Sequence, residues 1–194
     1  MIEVEKNFAV KAEDKVRLVH GATLLFKKEF TDVYYDSPDY ALTGNDFWLR
    51  TREGRFELKV PQNAGHIKDR ITDQYQEFET DAEIARELGI SAEHPLSEAI
   101  KEKDFTPFAT ITTKRERYQK EDFHLDFDEM DFGFIAFEVE LMVQKQEDIS
   151  AAEKRILEFG KEHRLNPESA GKVMEYLRRY HPEHLAFLKV RGVA

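Results

Sequence analysis

The 194-residue chain contains no cysteine, which excludes disulfides, thiolate metal ligands and a Cys nucleophile and leaves the redox compartment open. No apolar run approaches membrane-spanning length, and Met1 leads straight into a strand-like pattern without the basic and apolar segments of a secretory leader. Positive charge is in deficit: 29 Lys and Arg stand against 39 Asp and Glu, a formal net charge of -10. A chain this acidic is a poor match for nucleic acid or an anionic membrane, so any anion it binds must be held by local cations or a metal. Its histidines (His20, His66, His94, His124, His163, His181 and His184) share no spacing, which argues for surface positions. Internal repeats, low-complexity segments and linkers are also missing, so residues 1–194 are expected to form one domain. The expectation is a soluble cytoplasmic monomer that binds neither nucleic acid nor membrane.

Hydrophobic residues make up 41% of the chain, enough for a sizeable core, and charged residues 35%, more than an ordinary domain carries. The charges alternate with Val, Ile, Leu and Phe, which is not the pattern of disorder. The opening stretch, residues 2–8, sets the theme: on a strand Glu3 and Glu5 share one face, and Ile2 and Val4 the other. Alone, this describes a solvated face on an edge strand. It recurs, however. Asp32, Tyr34 and Asp36 share a face in residues 29–36, Arg50 and Arg52 in 47–53, and Glu57 and Lys59 in 56–60. Tyr75, Glu77 and Glu79 do so in 74–80, Thr113, Arg115 and Arg117 in 105–118, Asp126 and Asp128 in 122–129, and Glu138 and Glu140 in 135–143.

A hairpin turn is expected at Glu53-Gly54-Arg55, and a long loop over 61–73 carrying Gly65, His66, Lys68, Asp69 and Arg70. Helices are expected over 12–20, with Val16 and Val19 facing a core, and over 81–103 with a break at Gly89 to Ser91. Others follow over 150–163, over 168–180 and from Pro182, and a short turn is expected at Tyr40 to Leu42. Eight strands, most ending before residue 144, suit a closed antiparallel barrel in an α+β fold. With apolar faces inward, the C-terminal amphipathic helices would have no apolar sheet surface to cover. The inverted arrangement satisfies both: a charged lumen, with an apolar exterior packed against helices.

Charges withdrawn from water need partners. Arg50, Arg52, Lys59, Arg115 and Arg117 suit phosphate oxygens, which guanidinium forks bind bidentately. Glu138-Val139-Glu140 and Asp126-Phe127-Asp128 suit a hard divalent cation. Without cysteine or clustered histidine, oxygen ligands point to Mg2+ or Mn2+ rather than zinc. Such a lumen is expected to take a metal-complexed polyphosphate.

At these residues the chain resembles the CYTH family, the triphosphate tunnel metalloenzymes. Beyond Glu3-Val4-Glu5, the likeness includes Tyr34-Tyr35-Asp36, Trp48-Leu49-Arg50-Thr51-Arg52, Glu57-Leu58-Lys59 and Thr113-Lys114-Arg115. It continues through Asp126-Phe127-Asp128, Asp131-Phe132-Gly133, Glu138-Val139-Glu140 and Lys172 before Tyr176-Leu177. Phe47-Trp48-Leu49-Arg50, and the run from Gly171-Lys172 to Tyr180-His181-Pro182, are similar to the thiamine triphosphatase branch. The resemblance implies an eight-stranded tunnel. It implies metal-binding acids at Asp126, Glu138 and Glu140, with Glu3 and Glu5 as further candidates. It implies triphosphate-binding cations at Arg50, Arg52, Lys59, Arg115 and Lys172, and Trp48 stacked on a thiamine moiety; in other surroundings Trp48 would read as a core tryptophan.

One position departs from the family pattern. The lysine of the hallmark ExExK strand should stand two residues after Glu5, where this chain has Asn7, and Lys6 points to the opposite strand face unless a bulge re-aims it. Lys68 or Arg70 in the loop are candidate substitutes. The activity expected is metal-dependent hydrolysis of the terminal phosphoanhydride of thiamine triphosphate. The attacking water is activated either by a second metal or by a tunnel carboxylate, with Glu3 and Glu5 as candidates. Alternatives are an inorganic tripolyphosphatase, an adenylyl cyclase or RNA triphosphatase of the same tunnel type, and a non-catalytic polyphosphate-binding module.

Overall fold

A computed structural model describes residues 1–62, 70–91, 94–167 and 169–194. Eight strands form a closed antiparallel barrel: β1 (Ile2–Phe8), β2 (Thr23–Asp36), β3 (Trp48–Arg52), β4 (Arg55–Pro61), β5 (Asp73–Phe78), β6 (Thr106–Lys120), β7 (Phe123–Met130) and β8 (Ile135–Val143). Their order around the barrel is β1-β5-β4-β3-β2-β6-β7-β8. The helices are α1 (Lys15–Leu18), α2 (Asp81–Leu88), α3 (Leu96–Glu102), α4 (Ile149–Glu162), α5 (Lys172–Tyr180) and α6 (Pro182–Arg191).

The apolar side of the sheet faces out, as the alternation requires. Ile149, Ala152, Ile156 and Phe159 of α4 cover Val4, Phe8, Leu125, Phe137, Val139 and Leu141 of β1, β7 and β8. Ile84 and Ala85 of α2, with Leu96 and Ile100 of α3, cover Leu49, Leu58 and Phe78. The approach of α4 to β1 is set by Gly160, where an added Cβ would stand 2.8 Å from Cε1 of Phe8. Thr80 caps the start of α2, its side chain accepting from the Glu83 amide, and Gly89 at φ 62° ends the helix.

The inward face changes character along the barrel. On β6 it runs from Arg117 and Arg115 through Thr113 to Ile111 and Ala109. On β7 it runs from Asp126 and Asp128 to Met130, and on β8 from Glu140 and Glu138 to Ala136. Tyr34, Ala109, Ile111, Met130 and Ala136 pack as a buried cluster, with Val173 and Tyr176 of α5 against it. The lumen therefore has a charged half and an apolar plug.

Several elements differ from the sequence-based expectations. β2 begins at Thr23, not at residue 29, because its first residues pair with the far end of β6 (Leu24 with Tyr118, Phe26 with Arg117) while their side chains stay exposed. The helix expected over 12–20 is a 3-10 turn at Ala12–Asp14 followed by a single α turn; Leu18 is its buried residue and Val16 is 80% exposed. The turn expected at Tyr40 to Leu42 is a 3-10 turn at Thr43–Asn45, fixed by Asp36, whose carboxylate accepts from the Leu42 and Thr43 amides at 2.8 Å each. Gly65, His66, Lys68 and Asp69 lie outside the described residues.

Candidate active site

The charged half of the barrel opens into a cavity of about 780 Å³. The pairing of β2 with β3 sets Arg52 opposite Asp32, whose side chain is fully buried, and Arg50 opposite Tyr34, two residues along the same face. Arg52 grips it as a fork, Nε to Oδ1 at 2.7 Å and Nη2 to Oδ2 at 2.9 Å. Lys172, the first residue of α5, adds its Nζ at 2.6 Å, and Arg50 stands 3.8 Å away. Burial opposes the Asp32 charge, but Arg50, Lys172 and Arg52 outweigh it and hold the carboxyl below the usual range. Phe30, two residues earlier on the same face, lies under this cluster, 4.1 Å from the Arg52 guanidinium and 5.3 Å from Lys172 Nζ.

Arg50 also donates Nε to Glu57 at 2.8 Å, and Glu57 and Glu77 help keep it charged. Lys59 bridges the acids of β1 and β5: it bonds Glu3 and lies 3.3 Å from Glu5 and 3.4 Å from Glu77. Across the lumen, β6 and β7 form two forks. Arg115 holds Asp128 at 2.7 and 2.6 Å, and Arg117 holds Asp126 at the same distances. Each then reaches β8: Arg115 to Glu138 at 3.1 Å and Arg117 to Glu140 at 2.9 Å.

Glu3, Glu5, Arg50, Arg52, Lys59, Arg115, Arg117, Glu138, Glu140, Lys172 and Trp48 thus line one cavity. Asp126 does not line it; its carboxylate is buried against Arg115 and Arg117. Trp48 sits on a wall shared with Tyr75, Leu177, Leu188 and Val193, and its indole N–H donates to Asp46 at 2.9 Å. Asp46 also accepts from Tyr75 Oη at 2.9 Å and from Arg70 Nη1 at 2.6 Å. Arg70, a suggested stand-in for the hallmark lysine, is therefore bound to the aromatic wall.

The lysine position itself is Asn7, buried and facing the cavity. The β1–β8 register runs unbroken from Ile2 opposite Val143 to Phe8 opposite Phe137, so no bulge turns Lys6 inward. Lys6 instead donates to the Ile71 carbonyl at 2.7 Å.

Sequence reasoning overlooked three site residues. Asp32 was legible from its shared face with Tyr34. His124 was assigned to the surface, yet lines the cavity with Nδ1 3.2 Å from Glu140; its even spacing from Asp126 and Asp128 is the signal that places it. Asp46 sits in a turn at φ 64° and has no periodic signal.

The titratable groups differ sharply. Burial pushes the Glu3 carboxyl up to about 7, with Lys59 opposing and Glu77 and Glu140 adding. Burial, with Glu3 beside it, also raises Glu5, and burial raises Glu138 against the pull of Arg115. Glu140 is lowered to about 2: burial opposes its charge, but the His124 hydrogen bond and Arg117 prevail. Carboxylates of this kind fit a hard cation. Among the described residues no three His, Asp or Glu side chains are already gathered as a metal site, and the acids here are engaged by Arg and Lys. The amide oxygen of Asn7, without a hydrogen-bond partner among the described residues, adds a further oxygen to the same wall.

A charged cavity inside a closed antiparallel barrel, with paired arginines and carboxylates on facing walls, is the architecture of a triphosphate tunnel. Residues 1–173 match the CYTH domain, and the chain belongs to that family. Among individual relatives it is similar to the thiamine-triphosphatase of Homo sapiens, 29% identical over 209 residues that span 94% of this chain and 87% of the human protein. It is equally similar to the thiamine-triphosphatase of Macaca fascicularis, 29% identical over 95% of this chain and 87% of that one. The solved structure of the PH1819 protein from Pyrococcus horikoshii OT3 shares the fold with a TM-score of 0.66 at 19% identity, over 91% of this chain and 98% of that one.

Proposed function

We propose that this protein hydrolyses the terminal phosphoanhydride of thiamine triphosphate, releasing phosphate and thiamine diphosphate, with the help of Mg2+ or Mn2+. The observation that carries this reading is that Arg50, Arg52, Lys59, Arg115, Arg117 and Lys172 line the same cavity as Trp48. The cations suit the oxygens of a phosphate chain, and the indole face suits a flat cationic heterocycle. Asp46, by fixing the indole nitrogen, orients that face.

Before substrate binds, each cation is neutralised by a carboxylate, chiefly Asp32, Glu57, Asp126 and Asp128. These acids hold the guanidinium groups in place, so the cavity meets developing phosphoryl charge with donors already aimed. Glu5, Glu138 and Glu140 are the carboxylates that would hold the divalent cation, with Asp126 behind them; when bound, the cation supplies charge neutralisation at the phosphate oxygens. Glu3, which lines the cavity on the same strand face as Glu5, is the carboxyl suited to take the proton of the attacking water, a role that its upward shift by burial favours at neutral pH. In-line attack then expels the thiamine diphosphate, whose negative charge Lys172, Arg50 and Arg52 stabilise.

Two measurements test this reading. Phosphate release from thiamine triphosphate should require Mg2+ or Mn2+, and full activity in excess EDTA would refute it. Trp48→Ala should lower kcat/KM for thiamine triphosphate about tenfold or more and leave inorganic tripolyphosphate within about twofold, the size expected for one stacking contact worth about 1–2 kcal/mol. Equal losses on both substrates would remove the thiamine assignment and leave a tripolyphosphatase.

A further inference from the structure

Asn7 is 8% exposed, and its Oδ1 is a buried side-chain atom without a hydrogen-bond partner among the described residues. An unpaired buried amide oxygen costs about 1–3 kcal/mol, so its partner is to be sought in what enters the cavity that Asn7 lines. A phosphate chain is the wrong partner for this atom, because ionised phosphate oxygens only accept. The partner must be a donor or a cation.

The neighbours favour a cation. On the inward face of β1 Asn7 follows Glu5 by two residues, and the β1–β8 register sets Glu138 opposite Asn7 and Glu140 opposite Glu5. Directly opposed Cβ atoms stand about 4.5–5.5 Å apart, so four oxygen-bearing side chains form one patch on two adjacent strands. Glu5 touches Lys59 at 3.3 Å and Glu138 touches Arg115 at 3.1 Å, each an ion pair with a single cation among the described residues. Among the described residues Asn7 itself makes no bond to a cation, and the neighbouring Lys6, at the cavity's edge, donates its Nζ to the Ile71 carbonyl at 2.7 Å. On its other flank Asn7 meets Gly171, where an added Cβ would stand 3.7 Å from Nδ2.

We propose that Asn7 contributes a neutral oxygen ligand to a divalent cation held with Glu5 and Glu138 on the β1–β8 wall. The inference rests on the reading of the cavity as a metal-assisted polyphosphate site and adds a ligand of this chain's own. Carboxylates plus one carboxamide oxygen make a hard-cation set suited to Mg2+ and Mn2+. A lysine at the same position would offer no oxygen to that cation.

The test is calorimetric titration of Mn2+ into the full chain without substrate, for the parent and for Asn7→Leu, Asn7→Asp and Asn7→Lys. Asn7→Leu should weaken Mn2+ binding about tenfold, Asn7→Asp should match or exceed the parent, and Asn7→Lys, which supplies no oxygen ligand, should weaken it at least as much as Asn7→Leu. Tripolyphosphate affinity measured in EDTA should change less than about twofold in Asn7→Leu. If Asn7→Leu binds Mn2+ within twofold of the parent, or loses tripolyphosphate affinity in EDTA instead, Asn7 is not a metal ligand. If Asn7→Leu fails to fold, the isosteric Asn7→Asp decides: weaker Mn2+ binding there overturns the assignment. A parent protein that binds no Mn2+ would overturn the metal-assisted reading itself, a failure distinct from that of Asn7 alone.

Discussion

Replacing Asp32 with Asn separates stability from ligand binding. The Asp32 side chain has no exposure and accepts from Arg52 at 2.7 and 2.9 Å and from Lys172 at 2.6 Å, with Arg50 3.8 Å away. It joins β2 to β3 and to the start of α5. Asn keeps the shape but removes the charge and turns one acceptor into a donor that faces cations. Breaking a buried ion pair from one side costs about 3–5 kcal/mol, and the remaining amide oxygen argues for the lower end, about 3 kcal/mol. For a chain of this size each kcal/mol moves Tm by about 2–4 °C, so Asp32→Asn should melt roughly 6–12 °C below the parent. Asp32 is buried behind the cavity wall, so its loss removes a charge that offsets the three cations and strengthens the positive field they present to the cavity. Affinity for tripolyphosphate in EDTA should rise about tenfold, equivalent to about 1.4 kcal/mol. At a concentration of 100 Kd the ligand adds about 2.7 kcal/mol and should return most of the lost Tm. Thermal melts with and without tripolyphosphate read both effects. A variant that melts within about 2 °C of the parent, or that gains no affinity for the anion, would refute the role given to Asp32.

The remaining predictions concern pH and packing. With Glu3 pushed up to about 7 by burial, the base is charged only above that value, so kcat/KM should rise between pH 6 and 8; Glu3→Gln should lose most activity and this rise, and a flat parent profile would remove Glu3 as the base. His184 is lowered to about 4 by burial, stacks on Tyr40 at 3.8 Å and hydrogen-bonds Thr43 at 2.7 Å. Its folded state resists the proton that the unfolded chain accepts below about 6.5, so stability is full above that pH and falls towards pH 4. After solvent screening the loss should be about 1–2 kcal/mol, and His184→Phe should flatten that part of the melting profile; an unchanged acid slope would contradict it. Gly160→Ala should cost about 1–3 kcal/mol in denaturant unfolding, because the new Cβ meets the Phe8 ring at 2.8 Å; a neutral result would mean that α4 shifts freely on β1.

The barrel was legible because strand alternation carries both halves of the argument. Charges at Glu3 and Glu5, Arg115 and Arg117, and Glu138 and Glu140 demand one shared face, and the apolar residues between them demand helices outside. Where that signal is missing, the reading failed for physical reasons. The first residues of β2 bury no side chain, so Thr23 to Lys28 lack the alternation that marks a strand, and pairing with β6 alone orders them. The turn around Leu18 buries a single residue, too little to set a helical period. Spacing among the histidines hides His124, whose even offset from Asp126 puts it on the lumen face of β7. The ion pairing within the cavity was also illegible: sequence parity says which charges share the lumen, not that Asp126 faces Arg115 and Arg117 while Glu3 and Glu5 share Lys59.

Recognition of the proposed substrate depends on the cations and Trp48 acting together. The most direct test is the rate of phosphate release from thiamine triphosphate, inorganic tripolyphosphate and ATP side by side, each with Mg2+, Mn2+ and EDTA. Release should be metal-dependent, with the highest kcat/KM on thiamine triphosphate. Equal or faster turnover of tripolyphosphate would contradict the role of Trp48, and no turnover of any substrate would contradict the assignment of a hydrolase.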